Sequence, residues 1–162
     1  MKLSVLYYSR TGNTRKMAEC IAEGMRRHSG VETGVFSLDA IDADFVRESR
    51  CVVLGTPTYL ATMAAPVKIW LDEQARNYGL PGKVGGAFAT QDYLHGGADI
   101  GIQALLAHMM VMGMLVYSGG GSFGKPVIHL GPVALKDKLD EACDTFLTYG
   151  ERMAGKTAEL FG

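Results

Sequence analysis

Five short runs with the signal of buried strands stand at residues 3–8, 31–36, 51–55, 84–89 and 114–117, and all but the second, which carries Glu32 and Thr33, are greasy on both faces that an extended chain presents. A strand buried on both faces needs cover above and below. All but the last are followed by a segment with helical periodicity or by a gap long enough for a helix. Apolar side chains recur at helical spacing at Met17, Cys20, Ile21 and Met25, at Met63, Val67, Trp70 and Leu71, and at Ile102, Leu105, Leu106 and Met109, one stripe per helix. Leu135, Leu139, Ala142 and Phe146 extend the pattern into a last helix, while residues 39–48 have the signal of only a short one. Such alternation predicts a parallel sheet clad by helices on both sides. Residues 127–130 read as an extension of the fifth strand after a glycine-rich interruption at 118–124, with Gly131-Pro132 ending it.

A chain of 162 residues that is 48% apolar has room for one domain, spanning 1–162, with a continuous core. Sixteen Lys and Arg against seventeen Asp and Glu leave a net charge of −1, which gives no steering field for nucleic acid or an anionic membrane surface. Cys20, Cys51 and Cys143 are odd in number and far apart, a spacing that argues against a disulfide framework or a metal site and for a reduced, cytoplasmic setting. Met1 leads straight into the first strand, so no signal peptide is expected, and no apolar run approaches the ~18 residues of a membrane span.

The segment Ser9-Arg10-Thr11-Gly12-Asn13-Thr14 joins the first strand to the first helix. Its hydroxyl and amide side chains crowd a helix start, where backbone N–H groups lack intrahelical partners and attract anions, and Arg10 adds a fixed positive charge. Simple capping by Ser9 or Thr11 is the plainer alternative. The Gly-x-Gly-x-x-Gly of a dinucleotide fold and the Gly-Lys-Ser/Thr of a nucleoside triphosphate loop are both missing, so a terminal monophosphate fits better. Glycine, at 21 residues against an ordinary ~7%, gathers near strand ends, where loops approach a ligand closely. In an open parallel sheet ligands settle beyond the carboxyl ends of the strands. Two further loops belong there, one carrying Pro57, Thr58, Tyr59, Leu60 and Ala61, the other Thr90, Gln91, Asp92, Tyr93, Gly96 and Gly97. Each offers a tyrosine suited to stacking on a planar heterocycle. A flat ring with a phosphate describes FMN.

At these residues the chain resembles the flavodoxin-like FMN-binding family, and more closely its WrbA-type NAD(P)H:quinone oxidoreductase branch. The stretch Val5-Leu6-Tyr7-Tyr8-Ser9-Arg10-Thr11-Gly12-Asn13-Thr14 looks like the family's phosphate loop, and Thr56-Pro57-Thr58-Tyr59-Leu60-Ala61-Thr62-Met63-Ala64-Ala65-Pro66 looks like the WrbA-type loop along the isoalloxazine. The resemblance implies an α/β fold, a flavodoxin-like three-layer doubly wound sandwich on a five-stranded parallel sheet of order 2-1-3-4-5. The third loop is bulkier than the branch pattern, and its Asp92-Tyr93 pair is closer to flavodoxins. The branch's flavin-side histidine has no counterpart in the simplest alignment. His108 could stand in only if its helix were shifted by about a turn, so it is a candidate catalytic residue set against a structural role. The segment associated with the branch's tetramer is short, and a homo-oligomer stays open.

If FMN is bound, it carries the redox chemistry, and the protein's task is to fix the ring, tune it and choose what reaches it. Gln91 and Asp92 are candidates to tune it, and Asp92 would disfavour an anionic reduced ring. Two functions follow from the resemblance. One is an oxidoreductase moving electrons from NAD(P)H through FMN to a quinone or similar small-molecule acceptor. The other is a flavodoxin-type carrier that serves a redox partner protein and has no NAD(P)H activity. The near-neutral charge favours the first, because carriers that dock on basic partners are strongly acidic. No metal is expected. The other histidines, His28, His95 and His129, are expected to be solvated or structural, although His95 lies in a ligand loop.

Overall fold

The computed structural model describes residues 1–162. Strands β1 (Lys2–Tyr7), β2 (Glu32–Ser37), β3 (Cys51–Tyr59), β4 (Thr62–Met63), β5 (Val84–Gln91), β6 (Leu115–Val116) and β7 (Val133–Leu135) alternate with helices α1 (Asn13–Arg26), α2 (Ala43–Glu48), α3 (Ala65–Glu73), α4 (Ala98–Val111) and α5 (Leu139–Phe161). The sheet runs β2-β1-β3-β5-β6, all parallel. β6 and β7 both pair with β5, at Val84–Gly85 and Ala89–Gln91 respectively, so together they make one fifth strand interrupted by the excursion between them. This is the expected order with its last position split.

The excursion corrects one expectation. Residues 127–130 are not a strand, and Gly131-Pro132 leads into the returning strand β7 instead of ending one. A Cβ at Gly131 would stand 2.1 Å from the Ala87 carbonyl oxygen, so only glycine can cross the β5 backbone there. Pro132 then accepts from the Ala89 N–H at 3.1 Å. Proline has no N–H to give but loses nothing just ahead of a strand.

Side chains alternate across the sheet with the two-residue period of extended chain. Leu3, Val5, Cys51, Val53 and Phe88 pack under α1 and α5, while Leu6, Val52, Leu54, Ala87 and Ala89 pack under the α2, α3 and α4 side. The α1–α5 contact is the closest. A Cβ on Gly24 would lie 1.9 Å from the Leu147 oxygen and one on Gly150 2.0 Å from the Ile21 oxygen, so the two helix backbones touch. The helices run parallel along a seam whose partners are Lys16 with Asp140 at 2.6 Å, Cys20 with Cys143, and Arg27 with Glu151 at 2.9 Å.

Cys20 and Cys143 form a disulfide across that seam, which overturns the expectation of unpaired thiols. Their 123-residue separation looked prohibitive in one dimension, yet each lies one turn from the ion pair of residues 16 and 140, so packing of the two helices brings them together. Cys51 alone is unpaired, and burial pushes its thiol up to about 12, which keeps it protonated.

Two outcomes test this packing. Gly150→Ala should lower Tm by several degrees through overpacking, at a cost of about 1–3 kcal/mol. Gly155→Ala, on the same helix with nothing within 4 Å of its added carbon, should raise it by about 2–4 °C. Replacing Cys20 and Cys143 by serine should lower Tm by roughly 10–20 °C, from the loss of about 5 kcal/mol of unfolded-chain constraint, with an unchanged far-UV spectrum at room temperature. Three titratable thiols in the unreduced native protein would contradict the bond.

Candidate functional site

The carboxyl ends of β1, β3 and β5 share one edge of the sheet, and the three loops leaving them enclose an open cavity of about 820 Å³. That volume lies within the range of small-molecule and cofactor sites. Sixteen residues line it: Ser9, Arg10, Thr11, Asn13 and Thr14 from the first loop, 57–61 from the second, and 90–93 with His95 and Gly96 from the third. Every anticipated binding residue is among them except Gly12 and Gly97. Those two are the left-handed residues (φ 95 and 88) that immediately precede α1 and α4 and turn the chain into each helix.

The first loop is closed by a hydrogen bond from the Gly12 N–H to Ser9 Oγ at 3.1 Å. No side chain caps α1, and its first turn carries no acidic residue, so plain capping is not what these hydroxyls do. The first helical bond is Lys16 N–H to Gly12 O. The N–H groups of Asn13, Thr14 and Arg15 precede it and have no acceptor in the helix, as at any helix start. With Arg10 beside them and no carboxylate in the loop, this end of the cavity favours an anion. Thr14 Oγ1 meets Thr90 Oγ1 at 2.8 Å, both side chains buried, which ties the first loop to the third. Only one of the two hydroxyl protons is used in that bond, so the other is free for a third partner.

β3 extends beyond Gly55, and residues expected in a loop instead continue the strand to Tyr59. It returns through β4 in a hairpin that pairs Thr58 with Met63 and Tyr59 with Thr62. The two residues between, Leu60 and Ala61, have φ of 50° and 66°. Two-residue hairpins ask for φ > 0 at their centre and usually take Asn-Gly there. Thr56 holds the hairpin base, its hydroxyl accepting from the Ala64 N–H at 3.0 Å and donating to the Pro57 oxygen at 2.8 Å. Thr58 Oγ1, on the cavity lining, is buried with no hydrogen-bond partner. Burial, followed by the nearby Tyr8 hydroxyl and Asp92, raises the Tyr59 phenol against the pull of Arg10, so it stays neutral.

In the third loop the Gln91 amide is used internally: its oxygen accepts from the Ala98 N–H at 3.2 Å and its nitrogen donates to the Leu94 oxygen at 3.3 Å. It therefore shapes the loop and caps the start of α4, in place of the tuning role anticipated for it. Gly97 brings this loop against the second, since a Cβ there would lie 2.7 Å from Ala61. Asp92 pairs with Lys136 at 3.1 Å, and the Lys136 ammonium lies 5.8 Å from the Tyr93 ring centre. Lys136 had no signal in the sequence, because its position depends on where the interrupted strand resumes. His95 is exposed, as expected of a solvated histidine, and its place in the ligand loop puts it on the lining. His108 does not reach the cavity. It lies roughly 15 Å along α4 from Ala98, half-buried, with Nδ1 against the Ala104 oxygen at 2.8 Å and Nε2 3.9 Å from Asp72. Its role is the structural alternative.

Comparison with known proteins decides the family. A flavodoxin family model matches residues 5–92, which include all three loops up to Asp92. A flavodoxin from Clostridium saccharobutylicum is 43% identical over 161 residues, covering 99% of this chain and all of that protein. This chain belongs to the flavodoxin family. An NAD(P)H dehydrogenase (quinone) from Paraburkholderia phymatum is 28% identical with 99% of each chain covered, across 200 aligned positions. That alignment is longer than the present 162 residues, so the relative carries segments this chain lacks. Among solved structures, a flavodoxin, WrbA-like protein from Agrobacterium tumefaciens superposes with a TM-score of 0.82 over 98% of both chains at 23% identity, a likeness of fold. No helix of this flavodoxin-family protein is long and apolar enough to cross a membrane.

The bond between the first and third loops is open to direct test. Thr90→Val should lower the free energy of urea unfolding by about 1–3 kcal/mol, because it strands the buried Thr14 hydroxyl. Adding Thr14→Val should recover part of that loss, and strict additivity of the two would show that they do not interact.

Proposed function

We propose that this protein binds FMN in the three-loop cavity and transfers electrons as a flavodoxin-type carrier serving a redox partner protein. The observation that carries the reading is the polarity of the cavity: free helix N–H groups and Arg10 at one end, Tyr59, Ala61 and Tyr93 at the other. The donor set fits the cofactor. Residues 9–14 would hold the phosphate through backbone N–H groups and the hydroxyls of Ser9, Thr11 and Thr14. Thr58, with its unpartnered buried hydroxyl, and the backbone of residues 58–60 and 90–93 would meet the polar edge of the ring. Tyr59 and Tyr93 would flank the ring's faces. FMN, when bound, supplies the redox chemistry. The protein's part is to hold the phosphate without a metal, keep the neutral Tyr59 against the ring, and leave an opening through which electrons pass.

Full-length similarity to a flavodoxin, with nothing left over on either chain, supports the carrier. The second reading is an oxidoreductase taking electrons from NAD(P)H to a quinone or similar acceptor. It draws on the relatives named NAD(P)H dehydrogenase (quinone) and on a net charge of only −1, which gives weak steering toward a basic partner. Against it, the cavity's only histidine is His95, and the relative from Paraburkholderia phymatum carries internal segments that this chain lacks. We propose in addition that residues 1–162 act as a single domain; the Cys20–Cys143 disulfide removes the thiol argument for a cytoplasmic setting.

Anaerobic titration separates the two. The FMN-loaded carrier should bleach slowly with NADH or NADPH and rapidly once a flavodoxin reductase is added. Fast bleaching by the nucleotide alone, with turnover when a quinone is present, would establish the oxidoreductase. Thr11→Asp should weaken FMN binding at least tenfold by setting a carboxylate against the phosphate, at a cost above 1.4 kcal/mol. Unchanged affinity would place the phosphate elsewhere.

A further inference from the structure

The last paired position between β5 and β7 sets Gln91 opposite Leu135. One step further along both chains stand Asp92 and Lys136, and their side chains meet at 3.1 Å. The interrupted fifth strand thus resumes in a register that delivers a cation to the third loop of the cavity. Had the strand continued without interruption from β6, which pairs only with Val84 and Gly85 at the far end of β5, no residue of the returning segment would be fixed beside Asp92. Lys136 does not line the cavity, but the two residues it engages, Asp92 and Tyr93, both do.

We propose that Lys136 is a positioning residue for the flavin site: held at the third loop by Asp92, it offsets the Asp92 charge felt by the ring of a bound flavin. This rests on the FMN reading above. Asp92 alone would oppose accumulation of negative charge on the ring as electrons arrive. Paired with Lys136, it presents a dipole with no net charge. Asp92 holds Lys136 in turn, raising its ammonium above its ordinary value through the hydrogen bond between them. The pair is half exposed, so the balance is sensitive to salt.

The test uses the FMN-loaded full-length protein, with FMN affinity read from fluorescence quenching and midpoint potential from equilibration with redox dyes. Lys136→Met should leave the affinity for oxidised FMN within twofold, because the oxidised ring is neutral. It should disfavour the reduced form about threefold, which is a fall of about 28 mV for a one-electron couple at 59 mV per tenfold. Lys136→Arg should restore the potential. In an Asp92→Asn background, Lys136→Met should shift it by less than half as much, since the ammonium is no longer held at the loop. Raising ionic strength from 0.02 to 0.5 M should shrink the shift in the unaltered background.

An unchanged potential in Lys136→Met with FMN bound would overturn the role of Lys136 and leave the FMN reading intact. Equal weakening of oxidised and reduced flavin would also overturn it, by showing a purely structural effect. Failure of the unaltered protein to bind FMN would overturn both.

Discussion

Parallel pairing of β1, β3 and β5 is the constraint on which the site depends. Tyr7 is level with Gly55, and Gly55 with Phe88, so the three strands reach the same edge in step and their loops emerge side by side. The step is kept by steric fit. Any side chain at position 55 would meet the Phe88 ring at 2.0 Å, so glycine there lets the aromatic ring pack in under α1 and α5, against Phe146 at a centroid distance of 5.8 Å. Two contacts then join the loops that the strands deliver. The Thr14–Thr90 hydrogen bond links the first loop to the third, and the close approach of Gly97 to Ala61 links the third to the second. The cavity is consequently a property of the sheet, and its walls rest on regular structure, the arrangement in which a site is held most firmly.

Much of the fold and most of the cavity lining were legible in the sequence because both rest on local signals. Apolar runs with helical stripes between them report strands and helices wherever the period is sustained, and hydroxyl-rich turns at strand ends report loops that face a ligand. What escaped depends on contacts distant in sequence. Cys20 and Cys143 meet because Gly24 and Gly150 let two helices touch, and their spacing in the chain carries no trace of that. Gly131-Pro132 reads locally as a terminator, yet it leads into β7, held there by the bond from the Ala89 N–H of the neighbouring strand to the Pro132 carbonyl. Gln91 looked like a group aimed at a ligand until α4 was in place to use its oxygen. His108 failed for a similar reason, since its helix phase places the imidazole beside Asp72 and Ala104 on the flank of the sheet.

The Leu60–Ala61 turn shows how the site is held against local preference. Left-handed backbone costs an L-residue about 1–2 kcal/mol, and here two adjacent non-glycine residues adopt it. Leu60 recovers nothing from burial, because its side chain is wholly exposed at the cavity mouth. The conformation is imposed from both sides of the turn. The ladder of Thr58 with Met63 and Tyr59 with Thr62 fixes the ends, Thr56 secures the base, and Gly97 presses its backbone against Ala61. Strain of this kind persists where surrounding structure over-determines it, and it gathers at ligand sites. Relaxing either residue into the right-handed or extended region would break the two-residue hairpin and carry Tyr59 away from the cavity lining. The unfavourable dihedrals are thus the local cost of keeping Tyr59 in the lining of the cavity it shares with Tyr93.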